Sequence, residues 1–215
     1  MVKAMQESGI LPDFVVVDGA EGGTGAAPLE FSDHMGMPLQ EGLRLVHNTL
    51  VGVGLRDQIR VGASGKIVSA FDMARALALG ADWCNSARGF MFALGCIQAQ
   101  TCHTGNCPTG VTTQDAKRQM ALVVPDKAQR VHNFHENTLE ALQELLQAAG
   151  LHAPSELSTK HIMRRVTETH VQHLSELVDN VTPGALLQGD TASTLPDVFR
   201  DWPKASASSF QLLAA

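Results

Sequence analysis

The sequence has no long hydrophobic run and no excess of positive charge. Its longest apolar stretch is Phe90–Ile97, counting Gly95. A membrane-spanning helix needs roughly 20 apolar residues, so no span is expected. Met1–Leu11 has no apolar core and no cleavage site, so no secretory signal is expected there. The 16 basic and 22 acidic residues leave a net charge of −6, which argues against a general nucleic-acid surface. Paired C-x-x-C spacings are lacking, and so is a His-x₃-His pair backed by carboxylates. A disulfide framework is not expected either, because without an export signal the four cysteines face a reducing, cytoplasmic compartment.

What remains is a 215-residue chain, 44% hydrophobic and 18% charged, with enough apolar residues for a real core. Short apolar strands alternate with helices. Met1–Gly9 reads as a helix end closed by Gly9. Phe14–Val17 is a β-branched run that predicts a strand buried on both faces. Leu39, Leu43, Val46 and Leu50 share one face of a helix over Pro38–Val51. A second strand is expected at Gln58–Ala63, a helix at Ala70–Leu79 stopped by Gly80, and a third strand at Ala81–Ser86. The alternation predicts βαβ units and a parallel sheet. A long helix follows at 126–149, with Asp126 as its expected N-cap and Val131, Phe134, Thr138, Leu142, Leu145 and Ala149 as its stripe. Ser158 or Thr159 is expected to cap one more helix, to about Asp179. Residues 182–215 read as an irregular arm.

Three segments carry candidate chemistry. Asp18 through Gly25 is a glycine-rich loop after the first strand. Glycines there allow either tight turns or close approach of backbone N–H groups to a ligand. The spacing is neither G-x-G-x-x-G nor a P-loop. Ser64-Gly65-Lys66 and Ala87-Arg88-Gly89 follow the next two strands, and barrels often bind phosphate with the loops after their last two strands. Cys96, Cys102 and Cys107 lie within twelve residues as C-x₅-C-x₄-C, a spacing at or beyond the upper limit of zinc-finger pairs. Three thiolates suit a cluster of three irons, although His103 completes a zinc set on paper and three unrelated thiols remain an alternative. Cys84 reads as a small buried apolar residue.

These residues resemble a known family. Asp18-Gly19-Ala20-Glu21-Gly22-Gly23-Thr24-Gly25-Ala26-Ala27-Pro28 is similar to the G-G-T-G-A-x-P loop of the glutamate synthase FMN domain. Ala63-Ser64-Gly65-Lys66-Ile67 resembles its flavin-phosphate loop, with Lys66 where the family has a second glycine. Gly95-Cys96 through Val111 resembles its cluster segment, G-C-x₅-C-H-x-x-x-C-P-x-G-V. The resemblance covers about residues 1–150 and is nearest to the stand-alone glutamate synthase-like proteins.

The resemblance implies a TIM (β/α)₈ barrel holding FMN and a [3Fe–4S] cluster. The activity it implies is reduction of 2-iminoglutarate, formed from 2-oxoglutarate and ammonia. Cys96, Cys102 and Cys107 would be cluster ligands. Ser64, Gly65, Lys66, Ala87 and Arg88 would lie near the FMN phosphate, and Gly22, Gly23 and Thr24 beside the flavin or substrate. His103 would tune the cluster by hydrogen bonding. Phe14–Val17, Ile59–Ala63 and Trp83–Asn85 would be barrel strands six to eight, with residues 151–215 a C-terminal helix and arm. The five earlier strands have no counterpart in the sequence, and a barrel typically takes about 250 residues. The expectation is therefore a C-terminal part of the barrel, completed by another chain or by self-association and served by an electron-donor protein or reductase subunit. A non-catalytic cluster-binding or assembly fragment is the alternative.

Overall fold

A computed structural model of the chain describes residues 1–19, 35–187 and 195–211. The chain opens with helix α1, Val2–Ser8, closed by Gly9 at φ 70°. Three strands follow in the expected places: β1, Phe14–Asp18; β2, Arg60–Ser64; and β3, Trp83–Asn85. They form one parallel sheet in the order β1-β2-β3. Parallel neighbours need a crossover, supplied here by α2, Leu39–Gly52, and α3, Ala70–Ala78. The mixed α/β class with a parallel sheet is as the sequence implies.

The helix-facing side of the sheet is the core. Leu39, Leu43 and Leu50 of α2 are buried at the predicted spacing and pack with Val61 and Ala63 of β2. Helix α3 starts where Ser69 Oγ accepts from Asp72 N at 3.2 Å and the Asp72 carboxylate accepts from Ser69 N at 2.9 Å. This capping box satisfies two backbone donors that a helix start otherwise leaves unpaired. Gly80 ends the turn after α3 at φ 114°, and a Cβ there would collide with the His47 ring.

The opposite side of the sheet corrects one expectation. Strand β1 is covered on one face only: among the described residues Phe14 remains 56% exposed and Val16 44%. Side chains alternate across a strand, and both crossover helices lie on the side of Val15 and Val17. On the open face Trp83 lies over Gly62, where a Cβ would approach its ring to 2.6 Å. Phe14 meets the same ring edge-on, with centroids 5.5 Å apart.

Helix α4, Arg88–Leu94, and helix α6, Val124–Ala148, complete the body; the short α5, Ala116–Gln119, lies between them in the chain. Val123, not Asp126, occupies the N-cap of α6, because Pro125 suits the first turn. Asp126 sits in that first turn, where its charge complements the helix dipole. The stripe runs through Val131, Phe134, Thr138 and Leu142 to Leu146, which packs with Ala70 and Ala74 of α3. Leu145 and Ala149 are exposed, one position off the buried line.

The helix expected from Ser158 to Asp179 is absent. Ser158 caps only a single 3₁₀ turn, Thr159–His161. Met163–Arg165 (β4) and Val171–His173 (β5) then form an antiparallel hairpin, and a four-residue α7, Leu174–Leu177, follows. The β-branched Val166, Thr167, Thr169 and Val171 favour this extended pairing. Ile162 and Leu174, at its base, are buried. In the described part of residues 182–215, Leu186 and Phe199 bury against Val53, and Trp202 Nε1 donates to Leu186 O at 3.0 Å.

The amino end of the sheet is closed by charge. Arg56 donates to Asp82 Oδ2 at 2.9 Å, to Gly80 O at 3.0 Å and to His47 Nδ1 at 3.2 Å. Asp82 also accepts from Val61 N at 2.7 Å and pairs with Arg60. Burial, reinforced by the charges of Arg44 and Arg56, brings the His47 imidazole down from 6.5 to about 4. A folded-state value below the unfolded one means that the unfolded chain binds the extra proton. The stability tied to neutral His47 is therefore complete above pH 6.5 and is lost as pH falls from there towards 4. Urea unfolding at pH 5 should give a stability about 2 kcal/mol below that at pH 8. His47→Gln should remove most of that difference, and an unchanged pH slope in the variant would count against this assignment.

Candidate functional site

Because the strands are parallel, the segments following them emerge at one end. Gly22, Gly23 and Thr24 lie outside the described residues. At the loop's start, Gly19 N donates to Ser64 O at 2.9 Å, and Ser64 Oγ donates to Asp18 Oδ2 at 3.2 Å. The carboxyl ends of β1 and β2 are thus clamped together. Beyond Ser64 the backbone turns sharply, with Gly65 at φ 148° and Lys66 at φ 47°. The second value belongs to the left-handed region, which a Cβ disfavours by about 1–2 kcal/mol. The family-like glycine position therefore keeps a glycine conformation although it holds lysine.

Ala87 and Arg88 follow β3, with Arg88 as the first residue of α4. Ser86 Oγ donates to Ile67 O at 2.7 Å and ties this loop to the one after β2. Arg88 Nε is buried and has no hydrogen-bond partner among the described residues. A guanidinium N–H without an acceptor is costly when buried, and a phosphate oxygen is a matching acceptor. The two loops and this donor suit a phosphorylated cofactor.

Helix α4 leads directly into the cysteines. It packs closely on α6, since a Cβ on Gly89 would stand 2.6 Å from Phe134 Cζ, and it stops at Gly95, φ 110°. Gln98 at φ 57° and Gln100 at φ 55° then coil the chain tightly. Cys96, Cys102 and Cys107 all line one narrow cavity, together with Met91 of α4. Gln98 N donates to Cys96 Sγ at 3.4 Å. Cys107 is 8% exposed; burial opposes its ionisation, but the Thr109 hydroxyl, 3.5 Å from Sγ, and the backbone N–H groups of Thr112 and Thr109 bring the thiol down to about 6. Cys84 is different: it packs against the main core and burial pushes its thiol up to about 11. The structure thus gathers the three cysteines of the motif and leaves the fourth apart.

Among the described residues no three His, Cys, Asp or Glu side chains converge on one metal-ion position. His103 is exposed, which is unfavourable for a Cys₃His zinc site. Three thiols around one cavity, one of them with a low pKa and another accepting an amide hydrogen bond, suit a cluster that takes one cysteine per iron. The cavity is about 10 Å³, room for about one water.

The supports of this segment were not visible in the spacing. Asp115 Oδ1 accepts from Lys117 N and Arg118 N, starting α5. Arg118 Nη1 then donates to Asn106 O at 3.0 Å and Cys107 O at 3.3 Å. Gly110 is obligatory at φ 82°, because a Cβ there would strike the Arg118 carbonyl. An Asp two residues before a Lys-Arg pair is a legible cap signal, but its reach back to the cysteines is a tertiary fact.

Residues 2–152 match the family described as a conserved region in glutamate synthase. The chain belongs to the glutamate synthase family. It is 44% identical over 174 residues to a glutamate synthase large subunit-like protein of Bacillus subtilis, covering 81% of this chain and 33% of that protein. It is 40% identical over 141 residues to the archaeal glutamate synthase [NADPH] of Methanocaldococcus jannaschii, covering 66% and 28%. Against the ferredoxin-dependent glutamate synthase of Antithamnion sp., identity is 32% over 169 residues, covering 79% and 11%. The chain spans about a third or less of the length of these glutamate synthase relatives. A solved mutant flavocytochrome b2 with pyruvate bound aligns with all of this chain and 45% of its own, at TM-score 0.40 and 15% identity, too loosely to carry an argument.

Replacing Lys66 by glycine should relieve the left-handed strain at φ 47°. After the greater entropy of glycine in the unfolded chain is subtracted, a gain of about 0.5 kcal/mol is expected. Urea titration of the two proteins measures it, and a loss of stability would mean that the lysine side chain contributes more than its backbone costs.

Proposed function

We propose that this glutamate synthase-family chain carries the flavin-phosphate loops and the iron–sulfur cysteines of a glutamate synthase-type oxidoreductase. The cofactors are FMN and a [3Fe–4S] cluster. When bound, these groups supply hydride and one-electron transfer for reduction of the 2-iminoglutarate formed from 2-oxoglutarate and ammonia. Everything else falls to the chain's own residues, which bind and orient. Ser64, Gly65, Lys66, Ala87 and Arg88 hold the phosphate end, Gly22, Gly23 and Thr24 flank the flavin or substrate, and Cys96, Cys102 and Cys107 hold the cluster.

The observation that carries this reading is the convergence of the three cysteines on one cavity, at the far end of the helix that begins with Arg88. Seven helical residues rise about 10 Å, so α4 acts as a short spacer between the phosphate donor and the thiols.

A TIM barrel with β1, β2 and β3 as strands six to eight fits the open sheet face. Phe14, Val16 and Asp18 alternate along β1 and stand level with Arg60, Gly62 and Ser64 of β2. Trp83 and Asn85 of β3 continue the layers. Barrel interiors are filled by such layers contributed from successive strands. A donor protein or reductase subunit and a polypeptide covering this face are the partners the reading calls for. Among the described residues no helix is long and apolar enough to cross a membrane. The exposure of Phe14 and Val16 also favours a second reading, in which the chain binds the cluster without catalysing the reaction.

Anaerobic reconstitution with iron and sulfide tests the cluster. Cys102→Ser should abolish iron loading and Cys84→Ser should leave it intact; equal iron in both variants would overturn the assignment. Flavin tests the rest. Quenching of FMN fluorescence by the wild-type chain should be weakened about tenfold in Arg88→Ala, the loss of one charge-assisted hydrogen bond. Iron loading without any FMN binding would select the non-catalytic reading.

A further inference from the structure

The cysteine segment is rich in threonine, and its hydroxyls are not used alike. Thr104 Oγ1 donates to Thr101 O at 2.7 Å and accepts from Asn106 N at 3.2 Å. Thr109 Oγ1 lies 3.5 Å from Cys107 Sγ. Thr113 Oγ1 accepts from Asp115 N at 3.1 Å. Thr112 is the exception: its Oγ1 is buried and has no hydrogen-bond partner among the described residues. A buried hydroxyl without a partner is costly, so a position that keeps one calls for a reason. Valine would fill the same space without that cost.

The place of this hydroxyl supplies the reason. Thr112 lines the narrow cavity shared by Cys96, Cys102 and Cys107. Its backbone is held from both sides. Gly110, two residues before it, must be glycine, because a Cβ there would strike the Arg118 carbonyl. Thr113, one residue after it, accepts from Gln119 Nε2 at 2.7 Å through its carbonyl. The hydroxyl is also felt at Cys107. Burial opposes ionisation of that thiol, and the Thr112 hydroxyl is among the groups that offset it, yet the two atoms form no hydrogen bond. A fixed donor therefore stands in the wall of a cavity of thiols with its hydrogen bond still to be made. Sulfur carrying negative charge is the acceptor that such a cavity would present.

We propose that Thr112 donates a hydrogen bond to a sulfur of the bound iron–sulfur cluster and so raises its reduction potential. The inference rests on the assignment of the three cysteines to a cluster, and it adds a determinant that the cysteines do not supply. The reduced form of a cluster holds one electron more than the oxidised form, so its sulfurs carry more negative charge and accept the bond more strongly. Removing the donor therefore disfavours the reduced form. Thr112 is then the residue that sets how readily the site takes up an electron.

The test is a potentiometric titration of the full chain, reconstituted anaerobically with iron and sulfide and followed by visible absorbance. Thr112→Val should load as much iron as the wild type, while its redox equilibrium shifts about tenfold against the reduced form, a potential about 59 mV more negative for one electron. Thr112→Ser, which keeps the hydroxyl, should stay within about twofold of the wild type, and so should Thr104→Ala, which removes an exposed hydroxyl of the same segment. Before reconstitution, Thr112→Val should have a urea midpoint no lower than that of the wild type, since valine leaves no donor unpaired. An unchanged potential in Thr112→Val, an equal shift in Thr112→Ser or Thr104→Ala, or a lower urea midpoint in unreconstituted Thr112→Val would each overturn the proposal. Should Thr112→Val lose its iron, Thr112→Ala is read in its place; loss from both makes the hydroxyl a structural requirement and overturns the proposal as well. Iron content of the wild type separates the two kinds of failure. Loaded protein with an unchanged potential in Thr112→Val rejects the role of Thr112 alone, whereas a wild type that takes up no iron rejects the cluster assignment and the proposal with it.

Discussion

Parallel strands all point the same way, and that constraint brings the described loop residues after β1, β2 and β3 to one end of the sheet. Val15 pairs with Val61 and Ala63 with Cys84, so β1, β2 and β3 end side by side. Asp18, Ser64 and Asn85 finish their strands at one edge, and the loops that leave them share that edge whatever their lengths. Residues far apart in the sequence thereby become neighbours: Ser64 accepts from Gly19, and Ser86 donates to Ile67. The helices that make the crossovers are held by ordinary burial of leucine and alanine. At about 25 cal/mol per Å² of apolar area, a few leucines of this kind outweigh any single polar contact at the loops. The loops can then be shaped for binding because the stability lies elsewhere.

The cysteine segment depends on the scaffold in a different way. Met91 of α4 is its contact with helical structure at the thiol cavity, and its ends are fixed by Gly95 and by the Arg118 side chain. Between those anchors the chain is a sequence of turns: Gln98 and Gln100 with positive φ, the 3₁₀ turn Cys102–Thr104, then Gly105 and Gly110. Such a stretch has few buried apolar contacts to resist opening, and local opening free energies are low where that is so.

Much of this arrangement was legible in the sequence, for physical reasons that also explain the gaps. The three strands and their crossover helices could be read because Leu39, Leu43 and Leu50 repeat at helical spacing and Val15–Val17 do not. The separation of Cys84 from the other cysteines followed from its place at the end of an apolar strand. What escaped were features decided by tertiary contact. Leu145 and Leu146 are both acceptable stripe residues, and only the position of Ala70 and Ala74 selects the second. The hairpin after Ser158 escaped because Leu174 and Leu177 mimic helical spacing, whereas the pairing of Arg165 with Val171 needs a turn that no glycine announces. The open face of β1 escaped because an all-apolar run predicts burial on two sides without saying what supplies the second. Arg118 escaped because nothing in its neighbours points back twelve residues to Asn106.

The two ends of the sheet differ in how completely their polar groups are paired, and this separates structure from function more clearly than any single motif. At the amino end Arg56 satisfies two carbonyls, a carboxylate and a ring nitrogen, and Asp82 accepts from Val61 N as well as from two arginines. That network is closed, and it reads as stability. At the carboxyl end the pairing is incomplete. Three buried side-chain polar atoms lack a partner among the described residues: Arg88 Nε, Thr112 Oγ1 and Ser206 Oγ. The first stands beside the phosphate loops and the second lines the cysteine cavity, while the third belongs to the C-terminal arm. An unpaired buried donor costs about 1–3 kcal/mol, and native folds hold few of them. Of the three, Arg88 Nε lies at the start of the helix that follows β3, at the end of the sheet where α/β folds bind ligands.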